Sequence, residues 1–340
     1  MEYVNFGKSG LKVSRLCLGT MNMGTPKWKP WIFDEAQSEV IVKHAVDKGV
    51  NFIDLADFYS TGVGEEVLGN IIRRNFVRDE MVILTKCGYP IGNGANNQGH
   101  SRKHLMDAID GSLSRLKMDY VDIFMLHYFD VTTPVEETMC ALNDIVKSGK
   151  ARYIAMSTMA SWQFAKLIYT ADLNGWTRPI NMQLQFNAAY REEMREMIPF
   201  CKDQGIGVSV FSPLARGLLT LDLKSTRNTT DFFTNQQYGD KTSMDIARSV
   251  GRVAEARGVS AAQIAQAWVL QHKEIDVMLV GADTAEQFDS AVAASEMVLT
   301  PEEMYEIDRN YTPCDPITDY TYETRIPREA RPAKAPFDKE

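Results

Sequence analysis

Short apolar runs of strand length recur along the chain and alternate with longer stretches whose apolar positions fall at helical spacing. The runs lie at 14–19, 50–56, 81–86, 121–127, 152–157, 180–185, 206–212 and 275–281. Several are nearly continuous in Val, Ile, Leu, Phe and Met, the pattern of parallel strands buried on both faces. Between them, 34–49 is amphipathic and closes on Gly49; 101–116 opens on Ser101, a capping residue; 134–149 opens on Pro134 and closes on Gly149. Eight strand–helix units in sequence predict an α/β chain folded as a (β/α)8 TIM barrel. A doubly wound sheet is the weaker alternative, because no GxGxxG follows the first strand.

Three segments break the alternation. Residues 3–13 read as a hairpin turning at Lys8–Gly10, placed to plug the barrel floor. Residues 221–241 are polar and form a long loop after strand seven, expected to be a lid or binding loop, or else disordered. The tail, 311–340, is proline-rich and aromatic without periodicity. Its tyrosines predict packing on the barrel, and its last ten residues predict disorder. The expected division is therefore a barrel at 1–310 and a tail at 311–340.

Composition narrows the function. Of 340 residues, 44% are hydrophobic and 24% charged, enough for a sizeable core. The net charge of −8 argues against a nucleic-acid partner, which needs clustered cations. No apolar run is long enough to span a bilayer, and the first residues lack the form of a signal peptide, so the expectation is a cytoplasmic protein without a membrane partner. Five cysteines, odd in number and without CxxC spacing, predict reduced thiols rather than a disulfide framework or a metal site. Cys17 and Cys87 read as core thiols.

The candidate chemistry sits at strand ends. Apolar runs terminate in Asp54 with Tyr59 close behind, in Lys86 and in His127. A parallel barrel carries its site at the carboxyl ends of its strands, so these four side chains converge. Alone, a tyrosine after a strand usually packs, and a lone Asp or Lys there usually caps. Together they make a proton donor with a tuned pKa. His44, His100, His104 and His272 match no motif and read as surface or helix residues.

The same strings resemble the aldo-keto reductase superfamily over roughly 3–310. GxSGLxVSRLxLGTM appears at 7–21, the Asp54-to-Tyr59 element follows, then EEVLGNII at 65–72 and the Lys86 strand end. SLSRLKMDYVDIFMLH (112–127), GKARYIAMS (149–157) and FSPLARGLLT (211–220) complete the series. The SPLARG segment and YREExREM, at 190–197, are similar to a bacterial branch. The resemblance implies a (β/α)8 barrel and hydride transfer between NADP(H) or NAD(H) and an aldehyde, ketone or sugar-type carbonyl or alcohol. It implies Tyr59 as general acid/base, its pKa lowered by Lys86, with Asp54 holding Lys86 and His127 orienting the substrate.

The resemblance also implies cofactor contacts from Thr20, Met21, Asp54, Ser157, Gln183, Phe211, Ser212, Leu214, Arg216, Gly217, Gly281 and Gln287. Ser157 and Gln183 would hold the nicotinamide carboxamide, Phe211 would stack on the ring, and 212–217 would pass the pyrophosphate. Relatives often carry Asn where Thr158 stands and Tyr or Trp where Phe211 stands. Strand eight departs further: no cation occurs from 276 to 308, and Asp283 stands where a 2′-phosphate would be gripped. The expectation is a preference relaxed or shifted toward NADH, unless Lys224 or Arg227 supplies the charge. Substrate contacts are expected from Trp31, Tyr128 and Phe129, with Met21 and Trp28 also at the rim and 93–100 as a mobile edge. A regulatory subunit resembling potassium-channel β subunits is the alternative from another class. No single oligomeric state is implied.

Overall fold

Each of the eight apolar runs becomes a parallel strand, and the strands close into a barrel. The computed structural model describes residues 1–222 and 232–316. A two-stranded antiparallel hairpin, β1 (Tyr3–Asn5) and β2 (Lys12–Ser14), precedes the barrel. The barrel strands are β3 (Leu16–Gly19), β4 (Phe52–Asp54), β5 (Val82–Cys87), β6 (Val121–Leu126), β7 (Ala151–Ser157), β8 (Asn181–Gln185), β9 (Gly207–Phe211) and β10 (Val277–Val280). They pair in chain order, and β10 closes the ring against both β9 and β3.

Helices return the chain to the start of each next strand. They are α1 (Glu35–Asp47), α2 (Val63–Asn75), α3 (Arg102–Leu116), α4 (Val135–Lys147), α5 (Ser161–Asn174) and α6 (Met197–Gln204). After β9 come α7 (Phe232–Tyr238), α8 (Lys241–Arg257) and α9 (Ala261–Gln271); α10 (Ala285–Ser295) and α11 (Pro301–Asp308) follow β10. The predicted cap Ser101 accepts from the amide of His104 at 3.2 Å, and at the start of α1 Asp34 accepts from the amide of Gln37 at 3.0 Å while the Gln37 side chain accepts from the Asp34 amide.

Strand alternation divides the core in two and aims the site. Cys17, Phe52, Val82, Leu84, Ile123, Met125, Ala155, Val277 and Leu279 fill the barrel interior. Leu16, Leu18, Ile53, Ile83, Cys87, Phe124, Leu126, Met182, Leu184, Val208 and Val210 face the helices. Counting on by twos from the interior set gives Asp54, Lys86 and Ser157 at the ends of β4, β5 and β7 and His127 just past β6; on β8 and β9 the outward Met182, Leu184, Val208 and Val210 leave Gln183, Gln185 and Phe211 facing inward. The polar strand ends are thus gathered by periodicity alone.

The hairpin does plug the floor. Phe6 is fully buried with the interior set and meets Phe52 edge-on at 5.5 Å. The approach is close enough that a Cβ on Gly7 would fall 2.3 Å from the amide nitrogen of Gly207, so Gly7, at φ +61, has no room for a side chain. Residues 221–241 are not all loop. Part of the segment is the helix α7, whose buried Tyr238 hydroxyl receives bonds from Gln185 and, at 2.9 Å, from Asn187. Lys224 and Arg227 lie outside the described residues.

The start of the tail docks on the 190–197 segment. Tyr311 donates to Glu192 at 2.6 Å and accepts from the amide of Arg191 at 3.0 Å, and the amide of Cys314 also donates to Glu192. Arg191 lies between the rings of Trp268 and Tyr311, 4.6 Å from each. The last ten residues lie outside the described part.

Beside this anchor, Glu193 accepts from the Tyr190 hydroxyl at 2.9 Å, yet burial pushes its carboxyl up to about 7. The folded chain therefore keeps a proton that the unfolded chain releases above about 4.5, and stability from this group falls as pH rises through that window. Glu193→Gln is expected to match the wild type near pH 5 and to exceed it near pH 8 by up to about 3 kcal/mol. Melting curves of both across this range check it; a wild type that gains on the variant with pH contradicts it.

Candidate active site

Lys86 is the centre of the strand-end cluster. Its ammonium, fully buried, donates to Asp54 Oδ1 at 2.5 Å, to the carbonyl of Leu55 at 2.8 Å and to the Tyr59 hydroxyl at 3.2 Å. Gln183 donates to the other oxygen of Asp54 at 2.7 Å. Asp54 is thus held from two sides, and Lys86 in turn is aimed at Tyr59. The ring of His127 meets that of Tyr59 edge-on, centroids 5.9 Å apart. The structure therefore brings together all four strand-end residues.

Protonation follows from burial and pairing. Burial is the largest influence on Lys86 and works against its charge, but Asp54 and Tyr59 outweigh it and hold the ammonium above its ordinary value. Burial pushes the Tyr59 hydroxyl above 10, with Lys86 opposing it. The sequence expectation of a lowered Tyr59 pKa is thus corrected: desolvation of the phenolate exceeds the pull of one ammonium. Tyr59 consequently rests with its proton in place. Burial, then the charge of Lys86, then His100, push His127 well below 6.5, so its imidazole is neutral.

Tyr59 follows β4 on a tight turn. Ser60, Thr61 and Gly62 take φ of 50°, 54° and 92°, three left-handed residues in succession. The turn packs against Gly24, where a Cβ would fall 2.3 Å from Ser60 Oγ.

Rings continue outward from this point. Tyr89 lies 4.8 Å from His127, 5.3 Å from Phe58 and 4.9 Å from Tyr128; Trp28 meets Phe58 at 5.6 Å, and His100 meets Tyr128 at 5.0 Å. Phe58 and Tyr89 were not singled out from sequence. His100 is not a surface or helix residue: it is 2% exposed, in the loop before α3, and burial pushes it down to about 4. Phe129 stands apart, 6.1 Å from Trp162 and packed on the core between barrel and helices. Trp31 lies in the first loop beside Lys29.

The residues aligned with cofactor contacts occupy neighbouring strand ends. Ser157 pairs directly with Gln183, and Gln185 with Phe211, across β7, β8 and β9. Ser157 Oγ lies 3.1 Å from Thr158 Oγ1. After β9, Ser212, Ala215, Arg216 and Gly217 all take positive φ, and Asn187 fixes the loop by donating to the Ser212 carbonyl at 2.9 Å. Leu214 packs on the core and Arg216 is buried. Left-handed residues in series turn backbone amides toward one side, a surface suited to an anion. Thr20 braces β4 by donating to the Asp54 carbonyl at 2.8 Å, beside half-buried Met21. Gly281 opens onto free space. Gln287 accepts from the amide of Asp283, whose carboxylate accepts from Asn22 at 3.0 Å. The donor set and the open cradle at Gly281 fit a dinucleotide lying along one rim.

Residues 15–311 match the aldo/keto reductase family. The chain belongs to that family. Versiconal hemiacetal acetate reductase of Aspergillus parasiticus is 40% identical over 340 residues, covering 92% of this chain and 98% of its own length. A Schizosaccharomyces pombe protein named as an aryl-alcohol dehydrogenase is 39% identical over 92% of this chain and 96% of its own, and a Saccharomyces cerevisiae protein so named is 36% identical over 92% and 98%. These relatives are fungal, so they lend no support to the bacterial branch that 190–197 suggested. Family membership makes the chain an oxidoreductase acting on carbonyl or alcohol groups. Among the described residues no helix is long and apolar enough to cross a membrane, and no cluster of His, Cys, Asp and Glu could hold a metal ion. Cys17, Cys87, Cys140 and Cys201 are free thiols, Cys17 and Cys87 of them buried.

Proposed function

We propose that this aldo/keto reductase interconverts an aryl carbonyl and its alcohol using NADP(H) or NAD(H), with Tyr59 as general acid/base. The observation that carries the reading is the chain Gln183–Asp54–Lys86–Tyr59, closed by hydrogen bonds of 2.7, 2.5 and 3.2 Å at the end of the barrel where rings gather. When bound, the nicotinamide supplies or accepts the hydride. Tyr59 holds the proton that the carbonyl oxygen needs as negative charge develops on it. Lys86, kept charged by Asp54, stabilises the phenolate left behind, an interaction worth most in a site that excludes water. His127, neutral, lies beside Tyr59 and orients the same oxygen. In the oxidising direction the roles reverse.

The aryl preference rests on the wall formed by Phe58, Tyr89, Tyr128 and Trp28 beside Tyr59 and His127. Flat rings in contact favour a flat substrate. The names of the yeast relatives point the same way. The barrel and its tail act as one enzyme in this reading, and free cysteines suit the reducing cytoplasm in which we place it.

Turnover of an aromatic aldehyde with NADH and, separately, with NADPH tests the reading. Activity is expected with both, the kcat/KM with NADH equal to or above that with NADPH, because Asp283 lies exposed at the start of α10 and repels a 2′-phosphate. A strong NADPH preference overturns the cofactor assignment. Binding of cofactor without turnover of any aldehyde would favour a regulatory subunit.

A further inference from the structure

Asn187 takes no part in the chemistry above, yet its side chain joins three segments that lie far apart in the chain. It is fully buried, just beyond the end of β8. Its Nδ2 donates to the carbonyl of Ser212 and to the hydroxyl of Tyr238, each at 2.9 Å, and its Oδ1 accepts from the amide of Ala189 at 3.0 Å. Both amide hydrogens are used, so the orientation of the group is set by its partners.

The base of this junction is firm. Asn187 and Tyr190 exchange backbone hydrogen bonds of 3.0 Å in both directions, which closes the turn after β8. Phe186, the preceding residue, stacks on buried Trp268 with centroids 5.3 Å apart. Arg191, whose amide meets Tyr311 of the tail, donates from Nε to the carbonyl of Ala188 at 2.9 Å. The Asn187 side chain therefore stands on a segment held by both core and tail.

The loop it reaches is strained. Ser212, Ala215 and Arg216 take φ of 56°, 48° and 58°, a conformation that non-glycine residues keep only where their surroundings fix it. Bonds within the loop are local: the Ala215 amide donates to the Ser212 carbonyl and the Gly217 amide to the Leu214 carbonyl, each at 2.9 Å. Such bonds set curvature, whereas a bond from another strand end sets where the loop lies on the rim. Gln185, in register with Phe211, also donates to the Tyr238 hydroxyl. The helix α7 is thus tied to the residue that pairs with Phe211 and to the residue that holds Ser212.

We propose that Asn187 is a positioning residue for the dinucleotide: through the Ser212 carbonyl it sets the 212–217 loop so that backbone amides of the loop meet the pyrophosphate. The proposal rests on the reading that this rim takes NADP(H) or NAD(H). It deepens that reading by assigning part of the affinity for the diphosphate to a buried side chain that acts through the backbone of the loop. Removing Asn187 leaves the Ser212 carbonyl its bond from Ala215 and the Tyr238 hydroxyl its bond from Gln185, so the fold is expected to survive.

ADP-ribose, which carries the pyrophosphate without the nicotinamide, is the probe. Its Kd, measured by calorimetry, is expected to rise on the order of tenfold in Asn187→Ala, the scale of one lost hydrogen bond. The KM for cofactor should rise in step, while kcat stays within about threefold and the KM for aldehyde is unchanged. A merely structural role would lower kcat and the melting temperature without that split. Tyr238→Phe removes the other partner of Asn187 but keeps the bond to Ser212, so its ADP-ribose Kd should stay within about threefold of the wild type. If Asn187→Ala does not fold, Asn187→Leu, similar in shape and without donors, is read by the same Kd. An unchanged Kd in the Asn187 variant overturns the proposal. So does an equal loss in Tyr238→Phe, which would place the effect in α7. A wild-type chain that binds neither ADP-ribose nor NADH would instead sink the dinucleotide reading, and the proposal with it.

Discussion

Tyr59→Phe is expected to lower kcat by on the order of 10²–10⁴ while leaving cofactor affinity near that of the wild type. The ring keeps its edge contact with His127, and the turn of positive-φ residues after it is unchanged. What disappears is the hydroxyl that Lys86 reaches at 3.2 Å. Since burial keeps that hydroxyl protonated at rest, its proton is available throughout the neutral range, and its loss cannot be repaired by raising or lowering pH. Stopped-flow turnover and cofactor fluorescence titration separate the two quantities. Rates near normal would remove Tyr59 from the chemistry. A fall in cofactor affinity equal to the fall in kcat would recast it as a binding residue.

How far the sequence revealed this site depends on which physical signal each residue leaves. Asp54, Lys86 and His127 are polar residues ending apolar runs, and a period of two fixes which face each occupies. The whole barrel was legible for the same reason, since strands buried on both faces leave unbroken apolar runs. Tyr89 and His100 come from the β5–α3 loop, where no period operates, and only tertiary contact brings their rings to His127 and Tyr128. Glu65 and Arg115 pair at 2.7 Å from α2 and α3, so nothing local marks them as neighbours. The direction of the Tyr59 shift was misread because a charge beside it is visible in sequence whereas depth of burial is not. Likewise α7 arises in a polar segment, because the Tyr238 hydroxyl finds Gln185 and Asn187 on the barrel rim.

Lys86→Met is expected to damage stability as much as activity. Its stem fills barrel interior, so methionine of similar length preserves packing, but Asp54 then keeps only the Gln183 amide as side-chain partner. Breaking a buried ion pair from one side costs about 3–5 kcal/mol, since the remaining charge is stranded. Turnover should fall by on the order of a thousandfold, because the phenolate of Tyr59 loses the cation that stabilises it as it forms. The double variant Asp54→Asn/Lys86→Met removes the stranded charge and should recover most of the lost stability, yet none of the turnover. That divergence separates two jobs done by one pair. Asp54 neutralises Lys86 within the fold, whereas Lys86 faces Tyr59 for the reaction. Urea unfolding of the three proteins measures the first, and kcat the second. If the double variant regained activity together with stability, Lys86 would be a structural cation only, and another group would have to stabilise the phenolate.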